Sequence, residues 1–393
     1  MLFDKNDFSA SSISAGVLAN LVGYSSSAII VFQAALKFGL SPIEASTWLG
    51  VLCLAMGILT ITLSQRYKTP IMFAWSTAGA ILILSGQHLT LNEAIAAFLF
   101  SGLLIFLSGI TGLFEKFYKK IPTSLAQAML AGILLKFTLN VFGQMKDHLS
   151  FVFILFLAYL ICRRMAPRYS VLVAAFIGLP LSLLYGNLNL AEFHFQLAIP
   201  QYHSPTFSWP AIISLGIPLY IVTMTSQNMA GIATLHSYNY NINISKTLTW
   251  SGLANMLIAP FGGFSLNLAA ITAAICMGEE AHPQHSKRYT AAITSGIIYL
   301  LMGIFCGAVG NFFHILPKEL IVTITGLALF GTVTQGLVGS LNNINEREAA
   351  MITFFVTASD VTIFDIGSAF YGILLGTFTF IILNIKKNKI DLA

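Results

Sequence analysis

Hydrophobic segments follow one another along the whole chain, each parted from the next by a short polar loop. That repetition constrains the fold more than any motif, because successive apolar runs of about 20 residues are what a hydrocarbon layer about 30 Å thick selects. With 56% hydrophobic and only 9% charged residues in 393, no stretch is left for a soluble domain, where about 25% charge is usual. The start MLFDKNDFSASSIS holds acidic residues and no apolar h-region, so no cleaved signal peptide is expected. Cys53, Cys162, Cys276 and Cys306 stand singly in apolar segments without ligand spacing and read as packed thiols. No metal and no other cofactor is expected.

Spans are placed near 14–37, 44–65, 70–86, 93–117, 122–142, 149–165, 169–187, 210–235, 246–260, 263–278, 289–314, 318–338, 347–359 and 364–385. With both termini cytoplasmic, the inside segments hold 16 of the 20 basic residues, and only Lys37, Lys136, Lys146 and Lys318 fall elsewhere. Such asymmetry is what the positive-inside rule requires, and it supports an even count of about fourteen.

Two sequence echoes reveal a duplication. STWLG at 46–50 answers LTWSG at 248–252, an offset that also lays YSSSAI (24–29) over SQNMAG (226–231). Further on, SGLLIFLSG (101–109) answers SGIIYLLMG (295–303), and each is followed by a proline, Pro122 and Pro317. Seven spans per half is an odd number, so the second half must be inverted relative to the first. The expected fold is therefore an all-α polytopic membrane protein built as a 7+7 inverted repeat. Residues 1–200 form the first repeat and residues 201–393 the second.

The third and tenth segments break the pattern. PIMFAWSTAGAIL (70–82) and APFGGFSLNLAAITAAICMG (259–278) have room for about 15 helical residues, which reach only about 22 Å. If Ile71 to Ala74 and Phe264 to Leu266 are extended at about 3.3 Å per residue, the deficit closes. A half-helix then starts near Ser76 or Asn267, residue types that cap helix N-termini. Non-helical backbone at membrane depth is tolerated only inside protein or beside a water-filled cavity, and paired half-helix starts present N–H groups that suit an anion.

Candidate substrate-binding residues follow from that geometry. They are Ser25, Phe73, Trp75, Ser76, Thr77, Gln227, Asn228, Phe264 and Asn267. The amides of Gln227 and Asn228 lie midway along the eighth span and either donate to a substrate oxygen or tie helices together. The aromatic residues can cover a ring or simply pack. No carboxylate falls at 227, 228 or 267, which favours an anionic substrate and leaves Asp360, Asp365 and His236 as candidates for proton coupling. Lys136 reads as a snorkelling side chain. Ser41 with Glu44 and Thr90 with Glu93 match the capping box, and GEEAHPQHSKRY (278–289) reads as a solvated loop. No HExxH, GxSxG or P-loop is present, so the chain is not expected to be an enzyme.

At PIMFAWSTAGA, SQNMAGIA, APFGGFSLNLAAITAAIC and EEAHPQHSKRY the chain resembles the benzoate/proton symporter (BenE) family over nearly its whole length. The resemblance implies proton-coupled uptake of benzoate or a related aromatic carboxylate across the bacterial inner membrane. It also implies kinship in fold with nucleobase and sulfate permeases, with spans 1–4 and 8–11 as a core that moves against a gate of spans 5–7 and 12–14. The chain departs from the family pattern at Ala78, where proline is frequent, and at Phe264, where histidine is. A nucleobase or inorganic-anion permease of the same fold is the alternative, and an anion channel is the reading from another class. The expected partners are the small carboxylate, protons and the lipid bilayer, with no nucleic acid and with a homodimer as a possible assembly.

Overall fold

The computed structural model describes residues 7–85, 89–112, 114, 122–166, 170–185, 197, 199–359, 361, 363 and 368–384. In the first half, α1 (Ala10–Leu36) and α2 (Pro42–Tyr67) lead into a three-residue strand, β1 (Phe73–Trp75), and a short helix, α3 (Thr77–Ser85). Then come α4 (Leu91–Thr111), α5 (Thr123–Gly143), α6 (Leu149–Met165) and α7 (Ser170–Leu184). The second half opens with α8 (Trp209–His236) and α9 (Ile244–Ile258), followed by β2 (Leu266–Leu268) and α10 (Ile271–Met277). It continues with α11 (Tyr289–Ile304), α12 (Cys306–Ile315), α13 (Lys318–Leu341), α14 (Arg347–Ala358) and α15 (Ser368–Asn384).

The helix starts obey local chemistry. Ser41 accepts from the Glu44 N–H while the Glu44 carboxylate accepts from the Ser41 N–H at 2.8 Å, with Pro42 opening α2. Thr90 and Glu93 repeat the arrangement at α4. Both are the reciprocal capping box expected from sequence. Beyond their caps the helices are apolar on every face, so one side packs in protein while Ile58, Ile110, Ile161 and Leu257 stay exposed, as a lipid-facing surface requires.

Five of the described helices are long and apolar enough to cross a membrane alone, or six if α1, bent by 43° near its middle, counts as one span. The remaining segments are shorter or broken. The segment expected as one span over 289–314 divides at Phe305, whose ψ of 20° ends α11 before α12 begins. In the fourth span, expected to reach 117, α4 closes at Thr111, where Gly112 turns the chain left-handed (φ 63°), and residues 113 and 115–117 lie outside the described residues. Inside α8, two π-helical stretches, Ile212–Gly216 and Thr223–Asn228, interrupt the regular ladder.

The halves pack reciprocally, as an inverted repeat demands. The second long helix of each half lies against the Ser-Gly helix of the other: α2 on α11, and α9 on α4. The duplicated words supply the contact points. A Cβ on Gly57 would sit 2.7 Å from the Gly296 carbonyl, and one on Gly303 would sit 3.0 Å from the Gly50 carbonyl. In the other pair, Gly252 meets the Phe106 backbone and Gly109 meets Thr249. Lipid tails supply no net hydrophobic drive between helices, so backbones brought this close by small residues gain their attraction from dispersion. A second group of helices packs within itself, α5 against α13 and α14, α6 against α7, and α14 against α15.

Candidate functional site

The two strands pair antiparallel, with Phe73 opposite Leu268, Ala74 opposite Asn267 and Trp75 opposite Leu266. The ladder is extended by Ser76 N–H donating to the Ser265 carbonyl and Ala269 N–H donating to the Met72 carbonyl, both at 2.9 Å. A sheet this small leaves both outer edges open, and inside an apolar bundle each unmet N–H or C=O is costly. Polar side chains on neighbouring helices meet part of that demand. From α2, Thr60 accepts the Phe73 N–H at 3.1 Å, and Ser64 both accepts from the Ile71 N–H and donates to its carbonyl. From α9, Asn255 accepts the Leu266 N–H at 2.6 Å, and with Ser251 it donates to the Leu266 carbonyl. From the π-helical part of α8, Asn228 accepts the Leu268 N–H at 2.9 Å.

The half-helices leave this sheet in opposite directions. Ser76 caps α3, its hydroxyl accepting the Gly79 N–H at 2.9 Å, and at the far end Lys37 donates to the carbonyls of Ile83 and Leu84. The start of α10 differs from expectation. Asn267 lies within β2, and the helix begins only at Ile271 after Ala270, which offers no side-chain cap. The strand persists to Leu268 because Asn228 and β1 hold its two sides, which delays helix entry past the best capping residue.

Beside the two helix starts lies a cavity of about 260 Å³. Trp75 and Thr77 border it from one half, Ala270 and Thr272 from the other. The opposite wall comes from α6, with Tyr159 and Arg163, and from α7 and α13. Trp75 is a fixed wall: its indole N–H donates to Ser27 at 2.8 Å and its ring meets Tyr24 edge-on at 5.4 Å. Four buried polar atoms near the strands and helix starts have no partner among the described residues: the Tyr24 hydroxyl, Gln227 Oε1, Asn267 Oδ1 and Thr272 Oγ1. Buried polar atoms are ordinarily bonded, so the Thr272 hydroxyl, which also lines the cavity, is a group that a polar ligand can satisfy.

Of the residues singled out from sequence, Trp75 and Thr77 line the cavity. Ser76, Asn228 and Asn267 lie in the framework just behind it. Phe73 and Phe264 are fully buried, and Phe264 packs on Trp48 and Phe98, so neither ring borders the cavity. The side chain of Ser25, together with Asp360 and Asp365, falls outside the described residues. His236 is exposed in the last turn of α8, away from the cavity. Sequence reasoning missed Tyr159, Arg163, Thr272 and Tyr299 as lining residues. Arg163 had been absorbed into the count of inside charges, and only the folding of α6 across the half-helices gives it a second setting.

Reciprocal packing around a broken pair of segments and a mid-bundle cavity define a polytopic membrane transporter. The overall fold matches the transmembrane domain of a cyanobacterium bicarbonate transporter, BicA, with a TM-score of 0.59 at 13% identity over 95% of this chain and 96% of that one. It also matches murine Slc26a9, an anion transporter in the inward-facing state, with a TM-score of 0.65 at 12% identity over 97% of this chain and 69% of that one. The family model described as benzoate membrane transport protein (BenE) matches residues 6–382, and the chain belongs to that family. Inner membrane protein YdcO of Escherichia coli is 42% identical over 376 residues, 95% of this chain and 96% of the relative. The benzoate membrane transport protein of Acinetobacter baylyi is 38% identical over 380 residues, 96% of each.

Proposed function

We propose that this protein is a secondary active transporter that couples proton entry to the uptake of benzoate or a related aromatic carboxylate by alternating access. It would act in the bacterial inner membrane with both termini cytoplasmic. The observation that carries the reading is the cavity itself, where an immobile indole, Trp75, stands beside two helix starts whose first N–H groups have no intrahelical acceptor. An aromatic carboxylate needs both surfaces, an apolar face for the ring and donors for the charge. A carboxylic acid of pKa about 4 is ionised at neutral pH, so the anion requires such donors to leave water.

In this reading the carboxylate lies toward Thr77 and Thr272 and the ring against Trp75. Ser76 and Asn228 hold the helix start and the strand in place, while Gln227 and Asn267 offer amides within the same framework. The group α1–α4 with α8–α12 is the body that carries the site, and α5–α7 with α13–α15 is the body against which it moves. Family membership supports benzoate over the bicarbonate named for the structural relative BicA. The test is uptake of labelled benzoate into proteoliposomes with and without an inward proton gradient. Saturable accumulation above the external concentration only with the gradient is expected. Flux that neither saturates nor accumulates would indicate a channel and overturn the proposal.

A further inference from the structure

Among the described residues the cavity has one formally charged lining residue, and it does not belong to either half-helix. Arg163 sits in the last turn of α6, on the wall opposite the starts of α3 and α10. Its Nη1 donates to the hydroxyl of Tyr159 at 2.9 Å, and its guanidinium carbon stands 5.6 Å from the centre of that ring. Tyr159 is itself buried, 1% exposed, and packs edge-on against Phe330 of α13. The phenol is therefore a rigid post that fixes one corner of the fork. On the other side α13 brings Gly331 against the guanidinium, close enough that a Cβ there would lie in ordinary contact with Arg163 Nη2 at 3.4 Å.

No described residue forms an ion pair with this charge. Lys68 and Lys287 pair with Asp7, and among the described residues Arg163 is seen in no such pair. A guanidinium is always protonated and presents a planar fork matched to a carboxylate, which a single phenol does not use up. Across the cavity, Thr272 Oγ1 is buried, 6% exposed, and also unpartnered. Arg163, exposed to solvent but held by Tyr159 and with no counter-ion among the described residues, thus shares with an unmet hydroxyl a space large enough for a small organic anion. We propose that Arg163 is the specificity-determining cation of this transporter: it selects ionised carboxylates over neutral aromatic molecules of the same shape. This rests on the aromatic-carboxylate reading of the cavity. Because Arg163 stands on α6 while the half-helix starts stand on the other wall, the bound anion links the two walls through charge.

The test is binding of benzoate and of benzamide, its uncharged isostere, to purified full-length protein and to Arg163→Gln and Arg163→Lys, with chloride, bicarbonate and sulfate titrated in parallel. Wild type is expected to prefer benzoate to benzamide and to weaken as salt rises. Arg163→Gln is expected to lose about ten-fold or more in benzoate affinity, most of the preference and most of the salt dependence, while Arg163→Lys, which keeps charge but not the fork, falls between. A merely structural arginine would weaken benzoate and benzamide alike. Unchanged preference and salt dependence in Arg163→Gln overturns the assignment, as does a wild type indifferent to substrate charge. Should Arg163→Gln fail to fold, Arg163→Lys and the wild-type salt dependence decide by the same criteria. A wild type that ignores benzoate but binds an inorganic anion sinks the aromatic reading alone, and Arg163→Gln must then lose that anion for the assignment to stand. Binding of none of these ligands sinks both.

Discussion

Gln227 and Asn228 are neighbours in the same π-helical stretch of α8, yet the structure gives them opposite duties, and a pair of substitutions separates them. Asn228 is fully buried; its Oδ1 accepts the Leu268 N–H at 2.9 Å and its amide nitrogen donates to the Met224 sulfur at 3.3 Å. Asn228→Ala strands the Leu268 N–H in a dry interior, at a cost of roughly 1–3 kcal/mol, or about a 5- to 150-fold shift in an equilibrium constant. Gln227 Oε1 is buried with no partner among the described residues. Gln227→Met keeps the length of the side chain and removes an unmet oxygen, so stability is expected to hold or to rise by up to about 1 kcal/mol. Thermal unfolding in detergent, with benzoate titration on the same samples, reads both. The expected pattern is a lowered midpoint for Asn228→Ala, and for Gln227→Met an intact midpoint with weakened benzoate binding. An Asn228→Ala protein as stable as wild type, or a Gln227→Met protein destabilised to the same degree, would refute the division of labour between them.

Three further outcomes are expected. Thr272→Val, an isosteric loss of an unpartnered hydroxyl, should leave unfolding unchanged and weaken benzoate binding about ten-fold, as a hydrogen bond to a charged group is worth roughly 1.5–3 kcal/mol; calorimetric titration checks it. Gly252→Ala drives a methyl into the Phe106 backbone and should destabilise by about 1–3 kcal/mol, whereas Gly143→Ala, with open space around it, should be neutral; size-exclusion profiles after heating distinguish them. The Asp7 carboxyl is held below its ordinary range chiefly by the Tyr289 hydroxyl at 2.6 Å, then by Lys287 at 3.2 Å. A depressed folded pKa stabilises above the unfolded value and is lost as pH falls through the folded one. Asp7→Asn should therefore lower the unfolding midpoint at pH 7, with the difference closing only in acid below the ordinary carboxylate range.

Much of the architecture was legible because it is written in patterns that a membrane enforces. The broken third and tenth segments followed from length alone, and Ser76 capping α3 followed from residue type. The duplicated words proved to be the glycine contacts between α2 and α11 and between α4 and α9. What could not be read is which partner each polar group finds. Asn267 is a good cap by type, yet the pairing of β2 with β1 keeps it extended, and tertiary hydrogen bonding overrode local preference. Phe264 is an aromatic next to a site by sequence but faces Trp48 and Phe98, because side chains alternate along an extended segment. The supports of the strands did carry a faint signal. Thr60 with Ser64 and Ser251 with Asn255 are polar pairs four apart on otherwise apolar helices, the spacing of one helical face.

The starts of α3 and α10 border one cavity, which we propose as the place where an aromatic carboxylate binds. An experimental structure with 4-iodobenzoate tests it most directly, because the iodine marks the ring unambiguously. The ring is expected against Trp75 and the carboxylate between Thr77, Thr272 and Arg163. Iodine density elsewhere in the protein, or segments 70–86 and 263–278 seen as unbroken rods with their starts apart, would contradict it.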